Sequence, residues 1–312
     1  MNDVTDVLIL GAGPIGSGFA AAFLAAGLKV TLCDPADSAR SGVAALIDRH
    51  GKAMELAGLA APTGGPQIIG ELPHRIDASL ILEAGPERLD TKAALFETLL
   101  ARSLPEAVLA TASSAIAMSQ IVPDRAKQRR CLVAHPANPP SLLRIIELVP
   151  APGTAPETLD RAEALFRKGG FDPSRLNHEV PAFVFNRLQS ALLREAYRLV
   201  DENVIGVEAL DRLVRDGLGP RWALSGPFET ADLNTAGGIR GHAERLGPAY
   251  AAIGRARGEH APDWSAELVD RVEAERRALL PESDMTARRA WREQALARLL
   301  DARREILNSA AS

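Results

Sequence analysis

Val7-Leu8-Ile9-Leu10-Gly11-Ala12-Gly13-Pro14-Ile15-Gly16 decides how the rest of the chain is read. The first four residues are an unbroken apolar run, the pattern of a parallel strand covered on both faces. After the glycines, Ser17 to Ala26 is rich in Ala and Phe and reads as a helix. Leu28 to Cys33 then reads as a second strand, ending at Asp34. This is a βαβ unit with a phosphate-binding turn. Gly11 permits the tight exit from the strand and Gly13 lets backbone N–H groups approach a pyrophosphate. Gly16 lets helix and strand pack closely, and the helix start, where Ile15 lies, favours the anion. Asp34 is placed to accept hydrogen bonds from an adenosine ribose and to repel a 2′-phosphate, so NAD is expected as cofactor. Arg40 lies close enough in sequence to serve a 2′-phosphate, which keeps NADP open. The bland alternative, a glycine-rich turn in an unrelated α/β protein, leaves the acidic strand end unexplained.

Further strands follow. A helix is expected over Ala36 to Ala60, then strands over Ile76 to Glu83, Val108 to Thr111 and Cys131 to Ala134. Ligands of an open parallel sheet bind beyond the carboxyl ends of its strands. The glycine loop, Asp34, Glu83 with Glu87, Ser113 with Ser114, and His135 all fall at such ends. Any one of these polar groups could equally be a helix cap; their shared address favours a site.

His135-Pro136-Ala137-Asn138-Pro139-Pro140 precedes an apolar run, Leu142 to Leu148, that reads as a strand and contains Glu147. An imidazole exchanges protons near neutral pH, and a carboxylate on its far nitrogen fixes the tautomer and favours imidazolium. His135 and Glu147 are therefore expected to form an acid/base pair, held in register by the prolines.

The 312 residues exceed the comfortable size of one core. A content of 46% hydrophobic and 24% charged residues, with a net charge of −4, suits a globular protein with a small-molecule partner and no nucleic acid. The two cysteines, Cys33 and Cys131, lack disulfide or zinc spacing and fit a reducing cytoplasm. A basic signal-peptide start is missing, and no segment reaches the roughly twenty apolar residues of a membrane span. No metal site is expected, and surface or loop roles are expected for His50, His74, His178, His242 and His260.

Pro150 to Pro156 reads as a loop, Glu157 to Lys168 as a helix and Ser174 to His178 as a last strand. Beyond Pro181 the pattern turns helical: Phe183, Leu188, Leu192, Leu193, Ala196, Leu199 and Val200 share one helical face. Helices are also expected over Val207 to Val214, Ala249 to Arg255, Ser265 to Leu280 and Thr286 to Leu307, with Trp264 and Trp291 as packing residues. The expected architecture is an α/β Rossmann-type domain with a mostly parallel sheet over residues 1–180, followed by an all-α domain over 181–312. Arg221, in a glycine-bounded segment, is a candidate for bidentate recognition of a substrate carboxylate, with a structural ion pair as the alternative.

Several motifs in order carry a family resemblance. They are the glycine loop with Asp34, Glu83-Ala84 with Glu87 and Lys92, and Ser113-Ser114. His135-Pro136-x-Asn138-Pro139, Glu147-Leu148-Val149, Phe183 to Leu188 and Gly226-Pro227-Phe228-Glu229 complete the series. Over nearly the whole chain they resemble the L-3-hydroxyacyl-coenzyme A dehydrogenase superfamily. His135 to Pro140, Leu218 to Ala223 and Arg288 to Glu293 look most like its λ-crystallin group, which is similar to L-gulonate 3-dehydrogenase. Carnitine dehydrogenases share the Arg-Trp-Ala element, whereas the acyl-coenzyme A enzymes usually lack the Arg-Trp pair. The resemblance implies NAD-dependent oxidation of a small L-3-hydroxy acid. His135 would be the base, Glu147 its orienting carboxylate, Ser114 a partner of the reacting oxygen, and Asn186 a positioning group. Asn138 and Glu87 would support the pocket and the nicotinamide ribose, with Lys92 near the cofactor. The same resemblance implies a homodimer built by the helical domain. A coenzyme A thioester or carnitine substrate, or a catalytically silent NAD-binding structural protein, are the rival readings.

Overall fold

The computed structural model describes residues 7–223, 226–227, 230–231, 238–258, 278 and 281–310. An eight-stranded sheet has the order β3-β2-β1-β4-β5-β6-β7-β8. Its strands are β1 (Val7–Leu10), β2 (Val30–Cys33), β3 (Gln67–Ile69), β4 (Leu80–Glu83), β5 (Val108–Thr111), β6 (Cys131–Pro136), β7 (Ile145–Pro150) and β8 (Asp172–Arg175). All neighbouring pairs are parallel except β6 with β7.

The unbroken apolar runs are explained by coverage on both faces. Val7 and Ile9 join one core cluster, with α1 (Pro14–Ala25), α2 (Asp37–Leu56) and α5 (Pro156–Lys168) supplying most of its helical residues. Leu8 and Leu10 join the opposite cluster, with α3 (Leu89–Arg102) and α4 (Met118–Ile121). On the first face Phe19, Phe23, Phe166 and Phe171 pack together with ring centroids 5.3–6.4 Å apart. Each buried aromatic contributes large apolar area, so this cluster fastens α1 and α5 to the sheet.

Several expectations are corrected. β7 starts at Ile145 because the amides of Leu142 and Leu143 both donate to the Pro139 carbonyl, which makes that stretch a turn. The last strand comes earlier than expected, at Asp172, whose amide pairs with the Arg144 carbonyl directly after the Gly169-Gly170 turn. β3 is an additional edge strand of three largely exposed residues. His50 is not on the surface: only 2% of it is exposed, and its Nδ1 lies 2.7 Å from the Ser141 hydroxyl.

Chain contacts divide the molecule into two compact units, Met1–Arg187 with Gln294–Asp301, and Leu188–Glu293 with Ala302–Ser312. A long helix, α6 (Phe183–Asp201), leads into the second unit. There follow α7 (Val207–Arg212), a π-helical turn over Leu213–Leu218, α8 (Gly219–Trp222), and helices over Gly238–Arg257 and Met285–Ala310. Within that unit Arg257 pairs with Glu195 of α6 and with Glu202 just beyond its end. Trp291, expected to pack, is 53% exposed. Trp264 and most of the helix expected over Ser265 to Leu280 lie outside the described residues. Among the described residues no helix is long and apolar enough to cross a membrane.

Candidate active site

The hairpin from β6 to β7 brings the two central residues together. In its antiparallel register His135 stands directly opposite Glu147, so both side chains leave the same face at close range. His135 Nδ1 and Glu147 Oε2 are 2.7 Å apart, and both residues are buried. Glu147 Oε1 accepts the backbone N–H groups of Val184 and Phe185, each at 2.9 Å, in the first turn of α6. Burial pushes the Glu147 carboxyl up, but the hydrogen bonds from His135 and the two amides outweigh it and hold it below the usual glutamate value. The rings of Phe183 and Phe185 flank the imidazole at 5.5 and 6.3 Å between centroids. With Nδ1 committed to the carboxylate, Nε2 is the nitrogen left for a substrate proton.

Asn186, one residue beyond these amides, donates from Nδ2 to the Ser114 carbonyl at 2.8 Å. Ser114 follows β5 and is exposed, whereas its neighbour Ser113 is buried. The division of labour is Ser113 inward and Ser114 outward. Ser113 Oγ donates to Glu87 Oε1 at 2.5 Å, and the amides of Ser114 and Ala115 donate to the same oxygen at 3.0 Å. Burial raises the Glu87 carboxyl, yet the donors from Ser113, Ala115 and Lys92 bring it below its ordinary value.

Lys92 occupies a different place from a surface cofactor ligand. Its side chain is 2% exposed, with Nζ 2.7 Å from Glu83 Oε2 and 3.3 Å from Glu87 Oε2. Glu83 also accepts from Thr111 Oγ1 at 2.6 Å and from the Gly85 amide at 2.7 Å. Lys92 thus reaches the strand ends through the two carboxylates. No local sequence pattern marks Thr111, Ser113 or the α6 amides as partners of Glu83, Glu87 and Glu147, because the contacts join residues 26 to 38 positions apart.

The glycine loop is shaped as its spacing predicts. Gly11 has φ +110°, and a Cβ there would lie 2.6 Å from the Ala84 carbonyl oxygen; one at Gly16 would lie 1.9 Å from the Gly11 oxygen. Nothing lies within 4 Å of a Cβ built on Gly13, so the N-terminus of α1 opens onto free space. The first-turn N–H groups of Ile15 and Gly16 have no acceptor within the helix. Asp34 accepts from the Ala12 amide at 2.8 Å and the Ala36 amide at 2.9 Å, which leaves further lone pairs for ribose hydroxyls. Open space at a helix start, no cation in the turn and a fixed acceptor at the end of β2 fit a dinucleotide's pyrophosphate and adenosine.

Asn138 is exposed at the start of the turn after β6, and its peptide bond to Pro139 is cis. Arg221 is exposed on α8, in the second unit. Among the described residues no group of three or more His, Cys, Asp or Glu side chains could hold a metal ion.

Fold and site define an NAD-dependent oxidoreductase of the Rossmann type. The NAD binding domain of 3-hydroxyacyl-CoA dehydrogenase matches residues 6–179, and the C-terminal domain of the same family matches residues 183–278. The chain belongs to the 3-hydroxyacyl-CoA dehydrogenase family. A 3-hydroxyacyl-CoA dehydrogenase of Gibberella moniliformis is 37% identical, covering 87% of this chain and 86% of that protein. A λ-crystallin homolog of Bos taurus is 34% identical, covering 96% of each chain. An L-carnitine dehydrogenase of Burkholderia mallei is 37% identical, covering 77% of this chain and 76% of that protein.

Proposed function

We propose that the protein oxidises the secondary alcohol of a small L-3-hydroxy acid with a free carboxylate, L-gulonate being the model substrate. The observation that carries the chemistry is the buried His135–Glu147 pair at 2.7 Å, at the same sheet edge as the glycine loop. His135 takes the hydroxyl proton at Nε2, and Glu147 holds the ring and stabilises the imidazolium. NAD, when bound, supplies the acceptor for the hydride. Gly11, Gly13, Ile15, Gly16 and Asp34 would hold it, with Glu87 at the nicotinamide ribose and Lys92 behind Glu87. Ser114 and Asn186 orient the alcohol, an effect of position rather than new chemistry. Asn138 completes the substrate pocket, and Arg221 binds the acid group.

One relative supports the free acid: the L-carnitine dehydrogenase, whose named substrate is a 3-hydroxy acid with a free carboxylate. The fungal 3-hydroxyacyl-CoA dehydrogenase favours a second reading, a coenzyme A thioester. Initial rates with L-gulonate, L-carnitine, 3-hydroxybutyrate and 3-hydroxybutyryl-coenzyme A, each with NAD, separate the two. A clear preference for the thioester would overturn the free-acid assignment.

The helical domain over 181–312 is also proposed to build a homodimer. Leu188, Leu192 and Leu193 of α6 are 63%, 37% and 43% exposed, an apolar stripe that a second copy could cover. The two cysteines, buried and unpaired, suit a cytoplasmic protein.

A further inference from the structure

Arg40 is held in an unusual way for a cation beside a dinucleotide site. It lies in the first turns of α2, and its guanidinium donates to the Asp34 carbonyl at 2.6 Å while pairing with the Asp37 carboxylate. The guanidinium rests on the backbone just beyond β3: a Cβ built on Gly70 would stand 3.1 Å from one of its nitrogens. Asp34, on the other side, has its carboxylate fixed by the Ala12 and Ala36 amides. A guanidinium at this strand end has the charge and fork geometry that accommodate a 2′-phosphate. Here it already has an anion. Asp37 is 93% exposed, so the pair is reached by water and open to exchange with a competing phosphate.

We propose that Asp37 is a specificity residue for the cofactor: by pairing with Arg40 it withholds the guanidinium from a 2′-phosphate, reinforcing the exclusion of NADP by Asp34. NAD preference then rests on two carboxylates with different tasks. Asp34 receives the ribose hydroxyls, and Asp37 keeps the neighbouring cation occupied.

The test is direct binding of NADH and NADPH to the full chain, read by cofactor fluorescence and independent of any substrate. Asp37→Ala and Asp37→Asn should each tighten NADPH binding about three- to fivefold, the scale of one exposed ion pair, with NADH changed less than about twofold. The gain should vanish in Asp37→Ala/Arg40→Ala, because it depends on the released guanidinium. Circular dichroism of each variant confirms that it is folded. Unchanged NADPH affinity in both Asp37 variants overturns the proposal. So does an equal gain in the double variant, which would assign the effect to lost negative charge alone. Weaker NADPH binding in Arg40→Ala by itself would show that the guanidinium already serves the phosphate, and would overturn it too.

Discussion

Glu147 holds His135 with one carboxylate oxygen and the first turn of α6 with the other. One side chain therefore sets the imidazole and also the start of the helix that carries Asn186, whose amide reaches the Ser114 carbonyl. His135, Glu147, Asn186 and the Ser114 carbonyl, the base and oxygen-binding edge of the proposed reaction, are one connected polar unit, closed by hydrogen bonds to an ionised carboxylate. Such bonds are stronger than neutral ones, at about 1.5–3 kcal/mol each.

Glu147→Gln preserves shape and removes the charge. Its NH₂ must face either the two α6 amides, donor against donor, or the imidazole, which then accepts at Nδ1 and carries its proton on Nε2, the wrong tautomer for a base. With a substrate that the wild type oxidises, kcat should fall by about 10² or more, while NADH binding, read by fluorescence, stays near wild type. His135→Ala should abolish turnover with the same intact NADH binding. Loss of NADH affinity in His135→Ala would instead mark the histidine as structural.

Much of this was legible in the sequence, for definite reasons. Strands buried on both faces read as apolar runs, and the β1–glycine–α1–β2 unit has its chemistry in consecutive residues. The separation of His135 and Glu147 showed that they could meet, but only the antiparallel register places them opposite. The bond from Glu147 to the α6 amides spans 37 and 38 residues and leaves no local pattern. Ser113 and Ser114 are neighbours of one type, and their opposite directions come from Glu87, 26 and 27 residues away. His50 was legible after all: Val43, Ile47 and Met54 define the buried face of α2, and position 50 lies on it.

Lys92 should be essential to folding more than to cofactor binding. Its ammonium offsets Glu83 and Glu87 at 2% side-chain exposure. Removing one partner of a buried ion pair typically costs about 3–5 kcal/mol because the other charge is stranded. Lys92→Met should lose stability on that scale in urea unfolding, and Glu83→Gln combined with it should recover a substantial part. In the combined variant NADH affinity should remain within a few-fold of wild type. A stable Lys92→Met protein that no longer binds NADH would restore direct cofactor contact as its role.

Arg221 tests the substrate's acid group. A guanidinium binds a carboxylate through two parallel N–H bonds, and an ammonium acts as a point charge. Arg221→Lys should therefore raise KM for a free 3-hydroxy acid about tenfold, equivalent to about 1.4 kcal/mol, with a smaller change in kcat. Comparing L-gulonate with 3-hydroxybutyryl-coenzyme A in the same variant checks this, because the thioester has no carboxylate at that position. An unchanged KM for the acid removes Arg221 from the site.

Stability should fall with acidity in two stages, and His50 accounts for the first. Burial lowers its pKa from 6.5 to about 4, with the neighbouring Arg49 charge acting the same way and the Pro14 carbonyl opposing them. Between those values the unfolded chain binds a proton at His50 that the folded chain refuses. Stability therefore rises with pH across this window and is lost as pH falls from about 6.5 to about 4, by up to about 3 kcal/mol. Glu147 and Glu87 have depressed values, so their contribution is present above the unfolded glutamate value and is lost as pH falls below it, in the second stage. Urea midpoints measured from pH 7 to pH 4.5 isolate the first stage. His50→Leu combined with Ser141→Ala removes the titrating ring together with its hydroxyl partner, and should leave that part of the profile nearly flat. A wild-type slope that survives in the double variant would assign the loss to other groups.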